Sequence, residues 1–196
     1  MPLPALYLKS NADKRLKRGH LWVYSNEVDT ERSPLKQFEL GAQVEVFSKS
    51  GRSLGVATVN PNNLICGRLV SKESKYPLDK SLLVHRIKQA QALRDMAFAE
   101  PCYRLIYGDS DLLPGLVVDR FFDYLVVQIS TAGMEAVKDD IVEALVQVLK
   151  PVGVLLKNDH GARELEDLPL YVENPYGDMP EAVELVENGT RFLAPV

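Results

Sequence analysis

Apolar and polar positions alternate in short runs through the first 72 residues. The clearest run is Gln43–Phe47, where two valines alternate with polar residues, as in a strand with one buried face. Polar turns such as Ser48–Arg52 and Asn60–Asn63 separate the runs. The other runs expected to form strands are Leu3–Leu8, His20–Tyr24, Ser53–Asn60 and Leu64–Val70. Short strands at this spacing predict a small mixed β-barrel.

The apolar spacing changes to threes and fours after Leu78, which indicates helices. Asp79 can cap a helix over Lys80–Ala99, and a second helix is expected over Met134–Leu149, before Pro151. Their core-facing positions are expected to be Leu83, Ile87, Ala90, Leu93 and Ala97 in the first, and Val137, Ile141, Ala144, Leu145 and Val148 in the second. Further strands are expected at Tyr103–Tyr107, Leu116–Asp119, Tyr124–Ser130 and Val152–Leu156.

The polar, proline-ended stretch Ser71–Pro77 predicts a linker between two modules. We expect a barrel over residues 1–72 and a central α+β domain over residues 73–180. Residues 181–196 are expected to begin a linker or first strand towards a further domain. The predicted fold class is therefore α+β, a small mixed β-barrel followed by an α/β sandwich-type domain.

Charge divides the chain into two unlike halves. Residues 1–94 carry 16 Lys and Arg against 8 Asp and Glu, whereas residues 95–196 carry 7 against 19. This asymmetry makes the first module a candidate for binding a polyanion. Ordinary composition and the lack of a spanning segment or signal peptide indicate a cytoplasmic protein with no membrane partner. Cys66 and Cys102 lie outside any metal or redox spacing, and two reduced thiols are expected.

A basic segment at residues 14–24 combines cations with aromatic residues. Nucleic-acid binding uses both, because cations neutralise phosphates and aromatic faces stack on unpaired bases. The alternative is a solvated helical turn followed by a strand that buries Trp22 and Tyr24. On the RNA-binding interpretation, Trp22 is expected to pack beneath the cations as a structural support. The candidates are Lys14, Arg15, Lys17, Arg18 and His20.

The loop Gly108–Gly115 holds Asp109 and Asp111, and three readings of it stay open. The carboxylates can bond backbone amides in a structural turn, face a substrate, or chelate a hard cation, although the further oxygen ligands of a calcium loop are lacking. Asp119 and Arg120, at the end of the next strand, can form an ion pair or contact a phosphate.

No complete catalytic constellation can be assembled from these residues. The sequence has no Gly-x-Gly-x-x-Gly turn, P-loop, His-Glu-x-x-His or Gly-x-Ser-x-Gly motif. We therefore assign no catalytic, cofactor-binding or metal-binding residue.

Five stretches resemble a known family. Residues 17–28, 41–47, 54–61 and 65–71 resemble the N-terminal PUA domain of the bacterial ribosomal RNA large-subunit cytosine-5 methyltransferases, which are class I enzymes dependent on S-adenosylmethionine. Residues 103–120 (YRLIYGDSDLLPGLVVDR) look like the signature of that family's middle domain. Two positions depart from the pattern, since Leu112 stands where the family usually has glycine and Asp109 where it often has glutamate.

The resemblance implies an RNA-binding PUA domain and a central domain that helps to form the substrate cleft. It implies that the Rossmann-type methyltransferase domain, with the cofactor site and catalytic cysteines, is missing from a truncated chain. The chain would then position substrate, be inactive by itself and take no cofactor, with S-adenosylmethionine serving the full-length enzyme. Structured ribosomal RNA is the expected partner, and a homodimer stays open. Arg68 joins the RNA-binding candidates, and the substrate-cleft candidates are Asp109, Asp111, Asp119 and Arg120.

Two other functions stay open from the residues. One is a stand-alone RNA-binding or ribosome-assembly module that never had a catalytic domain. The other is a metal- or small-ligand-binding domain centred on Asp109 and Asp111.

Overall fold

The computed structural model describes residues 2–187 and 189–196, which form two five-stranded sheets and a C-terminal hairpin. The strands of the first sheet are β1 (Ala5–Tyr7), β2 (Trp22–Tyr24), β3 (Gln43–Phe47), β4 (Ser53–Val59) and β5 (Ile65–Ser71). Their spatial order is β1-β3-β4-β5-β2, with β1 parallel to β3 and the other pairs antiparallel. An antiparallel bridge between Leu8 and Val28 joins residues just beyond the two edge strands, so the sheet curls towards closure. Its core is apolar, with Leu6, Val23, Val44 and Val46 fully buried.

A short helix, α1 (Lys14–Lys17), connects β1 to β2. It buries Leu16 against the first core and leaves its charged side chains at the surface. The basic segment is therefore a helical turn fixed to the barrel by one leucine.

The second module begins with α2 (Lys80–Ala97), whose first turn is capped by Asp79. The Asp79 carboxylate accepts a hydrogen bond from the Leu82 amide at 2.9 Å, as expected of an N-cap. Leu83, Ile87 and Ala90 are buried as predicted. The prediction is wrong for Leu93, which is 56% exposed, and for Ala97, which is also exposed. In this part of α2 it is Arg94 and Asp95 that contact β6: Arg94 Nε donates to the Arg104 carbonyl oxygen, and Asp95 accepts from the Tyr103 hydroxyl.

The second sheet has the order β10-β9-β8-β7-β6. Its strands are β6 (Cys102–Tyr107), β7 (Leu116–Phe121), β8 (Tyr124–Ile129), β9 (Gly153–Asn158) and β10 (Tyr171–Gly177). The helix predicted over Met134–Leu149 is two helices, α3 (Ala132–Glu135) and α4 (Lys138–Leu149), because the backbone leaves helical geometry at Val137 (φ −116°, ψ 25°). The α2 and α4 helices pack on each other and share one core with the sheet.

The predicted fold class needs correction. It placed the Rossmann-type architecture outside the chain, but β8 and β9 are parallel neighbours joined by α3 and α4, which is a Rossmann-like strand–helix–strand unit. That prediction relied on the lack of a glycine-rich turn after a strand in the sequence. In this unit the turn after β8 is instead held by side chains, since Asn158 Oδ1 accepts the Ile129 amide at 2.7 Å.

The two modules pack against each other. Val56 of β4 and Val70 of β5 belong to the core of the second module, and Gly133 of α3 lies directly on Thr58 of β4. Residues 182–196 form the hairpin of β11 (Ala182–Glu187) and β12 (Thr190–Pro195). Within the described ranges, no helix combines the length and apolar character that crossing a membrane requires.

Candidate nucleic-acid interface

The cations of the basic segment differ in how far they are engaged by other side chains. The Arg15 side chain is held by Glu27 and Tyr24. Its Nη2 donates to both Glu27 carboxylate oxygens, at 2.7 and 2.8 Å, and its guanidinium lies 4.7 Å from the centre of the Tyr24 ring. The Glu27 carboxylate raises the pKa of Arg15 and also accepts the Tyr24 amide at 2.9 Å. Arg15 therefore holds α1 against the strand that follows.

Lys17 forms an ion pair with Asp13 one turn earlier, and the Lys17 ammonium lowers the pKa of that carboxyl. Lys14, Arg18 and His20 are exposed, and none of the three has an ion-pair partner among the described residues. The positive charge available to a polyanion therefore comes chiefly from Lys14 and Arg18.

Trp22 is 38% exposed, so the prediction that it packs beneath the cations as a structural support is wrong. In β2 the alternation places Val23 in the core and turns Trp22 outwards, where it pairs in register with Arg68 of β5. An exposed indole can stack on an unpaired base.

A pair of half-buried aromatic rings beside an arginine was not predicted. The Arg32 guanidinium lies 3.5 Å from the centre of the Tyr7 ring, and Tyr7 stacks on Phe47 at 5.3 Å. The pairing of β1 with β3 brings Tyr7 to Phe47, and Arg32 is held beside them because the Tyr7 amide donates to the Ser33 hydroxyl at 3.0 Å and Arg32 donates to the Lys49 carbonyl oxygen at 3.3 Å.

Arg68 does not face solvent with the other candidates. Its Nη2 forms an ion pair with Glu166 Oε1 at 2.8 Å, and both side chains are largely buried. Glu166 also accepts from Asn60 Nδ2 at 2.9 Å, from Asn63 Nδ2 at 3.1 Å and from the Ala132 amide at 3.3 Å. The structure thus places Arg68 in a polar contact between the two modules, which the sequence did not reveal.

The loop Gly108–Gly115 is a compact turn. The Arg94 guanidinium donates to both oxygens of Asp111 at 2.7 Å, and Asp111 Oδ2 also accepts the Tyr107 amide at 2.6 Å. Asp111 is thus fully engaged in a structural role, whereas Asp109 is exposed. In the described ranges, no cluster of three or more His, Cys, Asp or Glu residues could hold a metal ion.

Asp119 pairs with Arg104 on the neighbouring strand, at 2.8 and 3.0 Å, and not with Arg120. Arg120 donates to the Phe122 carbonyl oxygen at 2.9 Å and to the Tyr103 hydroxyl at 3.4 Å. Arg120 lies four residues along β7 from its first residue, about 13 Å from the loop end. The four substrate-cleft candidates therefore do not converge on one point.

Neither cysteine is presented as a nucleophile. Cys66 is fully buried, its thiol donates to the Val23 carbonyl oxygen at 3.5 Å, and burial raises its pKa to about 12. Cys102 is half-buried at the start of β6. Both are free thiols, as expected.

Comparison with known proteins gives two kinds of match. Residues 6–72 match the PUA-like domain family. The chain is 35% identical over 192 residues to ribosomal RNA large subunit methyltransferase I of Aliivibrio fischeri (strain MJ11), covering 96% of this chain and 48% of that protein. The Vibrio cholerae protein of the same name (strain O395) is 36% identical over 194 residues, with coverages of 96% and 48%. The chain therefore spans about half the length of the curated relatives that it matches.

Two solved structures have the same fold as this chain. One, from Streptococcus mutans and named as a SAM-dependent methyltransferase, superposes with a TM-score of 0.78 at 23% identity, covering 97% of this chain and 48% of that chain. Another methyltransferase structure, complexed with SAH, has a TM-score of 0.77 at 23% identity, with coverages of 97% and 47%.

These matches complete the correction of the fold class. Nearly the whole chain follows the fold of proteins named as SAM-dependent methyltransferases, which overturns the expectation of a fold set apart from the methyltransferase architecture. Residues 6–72 match the PUA-like domain family, and we refer to them as the PUA-like domain; the chain is similar to ribosomal RNA large subunit methyltransferase I over about half the length of those proteins.

Proposed function

We propose that this chain binds structured ribosomal RNA through its PUA-like domain and positions it for methyl transfer from S-adenosylmethionine to carbon 5 of a cytosine. The observation that carries the proposal is the exposed surface of Lys14, Arg18, His20 and Trp22 on a PUA-like domain. The name shared by the relatives supports ribosomal RNA as the substrate and methyl transfer as the reaction, and the choice of cytosine carbon 5 comes from the family resemblance of the sequence.

The interface acts through phosphates and bases together. Lys14 and Arg18 can each neutralise a phosphate and release a counterion, which makes binding salt-dependent whatever the sequence. The exposed face of Trp22 can stack on an unpaired base of a loop or bulge, as sequence-specific RNA recognition commonly requires. Arg15 orients this surface through Glu27 and contributes less of its own charge.

The chemistry proposed for the reaction needs a thiolate that adds to carbon 6 of cytosine, so that carbon 5 becomes nucleophilic. Cys66 does not suit this role, because its thiol is buried and its pKa is raised to about 12. The part of the reaction that we assign to these residues is therefore positioning, where a misplaced substrate can cost about 10²-fold in rate.

S-adenosylmethionine supplies the methyl group when bound. The expectation that the chain takes no cofactor finds no support, since one structure of this fold was solved with SAH. However, the carboxyl ends of β8 and β9, where α/β sheets take their ligands, do not fit the cofactor. Glu166 accepts the Ala132 amide there, and Asn158 accepts the Ile129 amide, so the chain's own side chains fill the place of a ligand.

The test is the salt dependence of RNA binding by the Lys14→Ala/Arg18→Ala double variant. Loss of two phosphate contacts should weaken binding to a structured ribosomal RNA fragment and lower the log–log salt slope by about 1.4 to 1.8. Stability should not change, because both side chains are exposed. The affinity is measured by fluorescence anisotropy at several salt concentrations.

The matched control is Lys88→Ala/Lys138→Ala, which removes the same charge from the second module. Lys88 is exposed, and Lys138 pairs with Glu173 at 3.2 Å and lies 5.3 Å from the centre of the Tyr171 ring. This control should keep the wild-type slope. Equal slopes for wild type, control and the Lys14/Arg18 variant would refute the proposed interface.

A further inference from the structure

A groove runs between the end of the PUA-like domain and the start of α2, outside the interface described above. Its volume is about 730 Å³, within the range of small-ligand sites. One wall is formed by the last residues of β5 and the segment that follows them, and the other by the first two turns of α2. Leu21, Leu69, Tyr76 and Pro77 give the groove an apolar lining, and Tyr76 is 48% exposed.

Arg86 of α2 lies in this lining, and the hydrogen-bonding capacity of its guanidinium is not satisfied. Its Nε is buried and has no hydrogen-bond partner, and burial lowers the pKa of its guanidinium. Among the described residues Arg86 also lacks an ion-pair partner, unlike Arg15, Arg68, Arg94, Arg104 and Arg163. A half-buried guanidinium without a partner costs free energy that an anionic ligand would recover.

The other charges of the groove leave it with a positive excess. Glu73 pairs with Lys75 at 3.0 Å, and the Asp79 carboxylate is occupied by the Leu82 amide. Lys72 is exposed and has no ion pair within the described ranges. Asp79 keeps its negative charge, so the lining has a net charge of +1, and Lys72 and Arg86 are its two cations without an ion-pair partner among the described residues.

We propose that this groove holds one unpaired nucleotide of the bound RNA, with its phosphate on Arg86 and Lys72 and its base against Tyr76 and Leu21. The inference rests on the proposed function, because it takes the nucleotide from the same RNA. The guanidinium suits a phosphate because its planar fork donates two parallel hydrogen bonds. The groove would thus read a flexible nucleotide, while the surface around Lys14 and Arg18 reads the phosphates of a folded region.

The experiment compares Arg86→Gln with Lys88→Gln in the full 196-residue chain. Lys88 lies on the same helix, is exposed and does not line the groove, so Lys88→Gln is a charge-matched control. The probes are an unstructured five-nucleotide RNA, cytidine monophosphate and inorganic phosphate, with affinities measured by calorimetry. We expect Arg86→Gln to lower the affinity for the pentanucleotide and for the mononucleotide about tenfold, which corresponds to about 1.4 kcal/mol. Lys88→Gln should change either affinity less than twofold.

Two further variants separate loss of charge from misfolding. Arg86→Lys should recover part of the affinity, since it restores the charge without the fork. Ser81→Phe keeps every charge but fills the groove, and should weaken the pentanucleotide as much as Arg86→Gln does. Thermal unfolding checks that each variant is folded, and amide shifts of residues 71–86 in the NMR spectrum locate the probe.

The outcomes for the groove and for the proposed function are distinct. If Arg86→Gln binds both nucleotide probes like wild type while structured RNA still depends on Lys14 and Arg18, the groove inference is wrong and the proposed function stands. If mononucleotide binding depends on Arg86 but no RNA binds, RNA is excluded as the source and the proposed function fails with it. Binding of inorganic phosphate alone, or displacement of the pentanucleotide by S-adenosylhomocysteine, would overturn the assignment to an RNA nucleotide.

Discussion

Leu112 adopts a backbone conformation that branched aliphatic residues rarely take. It follows the 3₁₀ turn of the Gly108–Gly115 loop with φ 59° and ψ 27°, in the left-handed region. For an L-residue this conformation costs roughly 1–2 kcal/mol, and glycine avoids that cost. The resemblance places glycine at this position in the family, and the structure now supplies the physical reason. Leu112 in place of glycine therefore adds strain to the backbone at one residue of the turn.

We expect Leu112→Gly to raise the free energy of unfolding by about 0.5–1 kcal/mol, because relief of the left-handed strain exceeds the extra chain entropy of glycine. Urea denaturation measures the change. Leu165→Gly is the control, since Leu165 is exposed and has no positive φ, and it should not raise stability. A lower stability for Leu112→Gly than for wild type would contradict the strain argument.

At the scale of secondary structure, alternation and helical spacing predicted most strands and both long helices. The bounds held where one face is buried against a neighbour, as in Gln43–Phe47. Predicted burial failed where local sequence says nothing about neighbours: apolar spacing continues through Leu93, but there Arg94 and Asp95 are the residues that contact β6. The parallel pairing of β1 with β3 depends on contacts 40 residues apart, and alternation cannot reveal such a partner.

For the candidate site, the sequence predicts the basic segment from its composition, because cations next to aromatic residues are visible in a single stretch, and its role in RNA binding stays a prediction. The partners that engage Arg15, Arg68 and Asp111 were not found, since each comes from a distant part of the chain. Arg86 was missed for a related reason: a single arginine within a helix has no signal until its surroundings are known.

The contact of α3 with β4 depends on the absence of a side chain at Gly133. A Cβ there would lie 2.2 Å from Thr58 Cβ, although the backbone of Gly133 suits any residue. We expect Gly133→Ala to lower the free energy of unfolding by about 1–3 kcal/mol through overpacking, despite the higher helix propensity of alanine. The measurement is chemical denaturation followed by far-UV circular dichroism.

Gly161→Ala provides the matched comparison, because nothing lies within 4 Å of its Cβ position and its φ is not positive. That variant should be as stable as wild type or gain up to about 1 kcal/mol. If both substitutions have the same effect, the close approach of α3 to β4 does not limit stability.

Across the whole molecule, Glu166 connects the two modules. It is 3% exposed and joins Asn60, Asn63 and Arg68 of the PUA-like domain to the start of α3. A carboxylate in this position satisfies several donors at once, so its removal leaves the Arg68 charge largely buried and unpaired. Glu166 therefore adds a polar contact to the apolar packing of Val56 and Val70 that also joins the modules.

We expect Glu166→Ala to lower the free energy of unfolding by about 3–5 kcal/mol, the usual cost of removing one partner of a buried ion pair. Glu164→Ala, an exposed glutamate of the same turn, should change it by less than about 0.5 kcal/mol. Urea titration of the three proteins at pH 7 gives both values. Similar stabilities for the two variants would mean that Glu166 does not hold the modules together.

The distance along the chain between these partners also sets an order of events during synthesis. Asn60 and Glu166 are 106 residues apart, so the PUA-like domain leaves the ribosome well before its carboxylate partner is made. At elongation rates of about 5–20 residues per second, that interval lasts roughly 5–20 seconds. During it the ion pair of Arg68 with Glu166 cannot form, so the contacts between the modules are incomplete. Joining of the modules is therefore a late step, completed only after the turn that carries Glu166 has emerged.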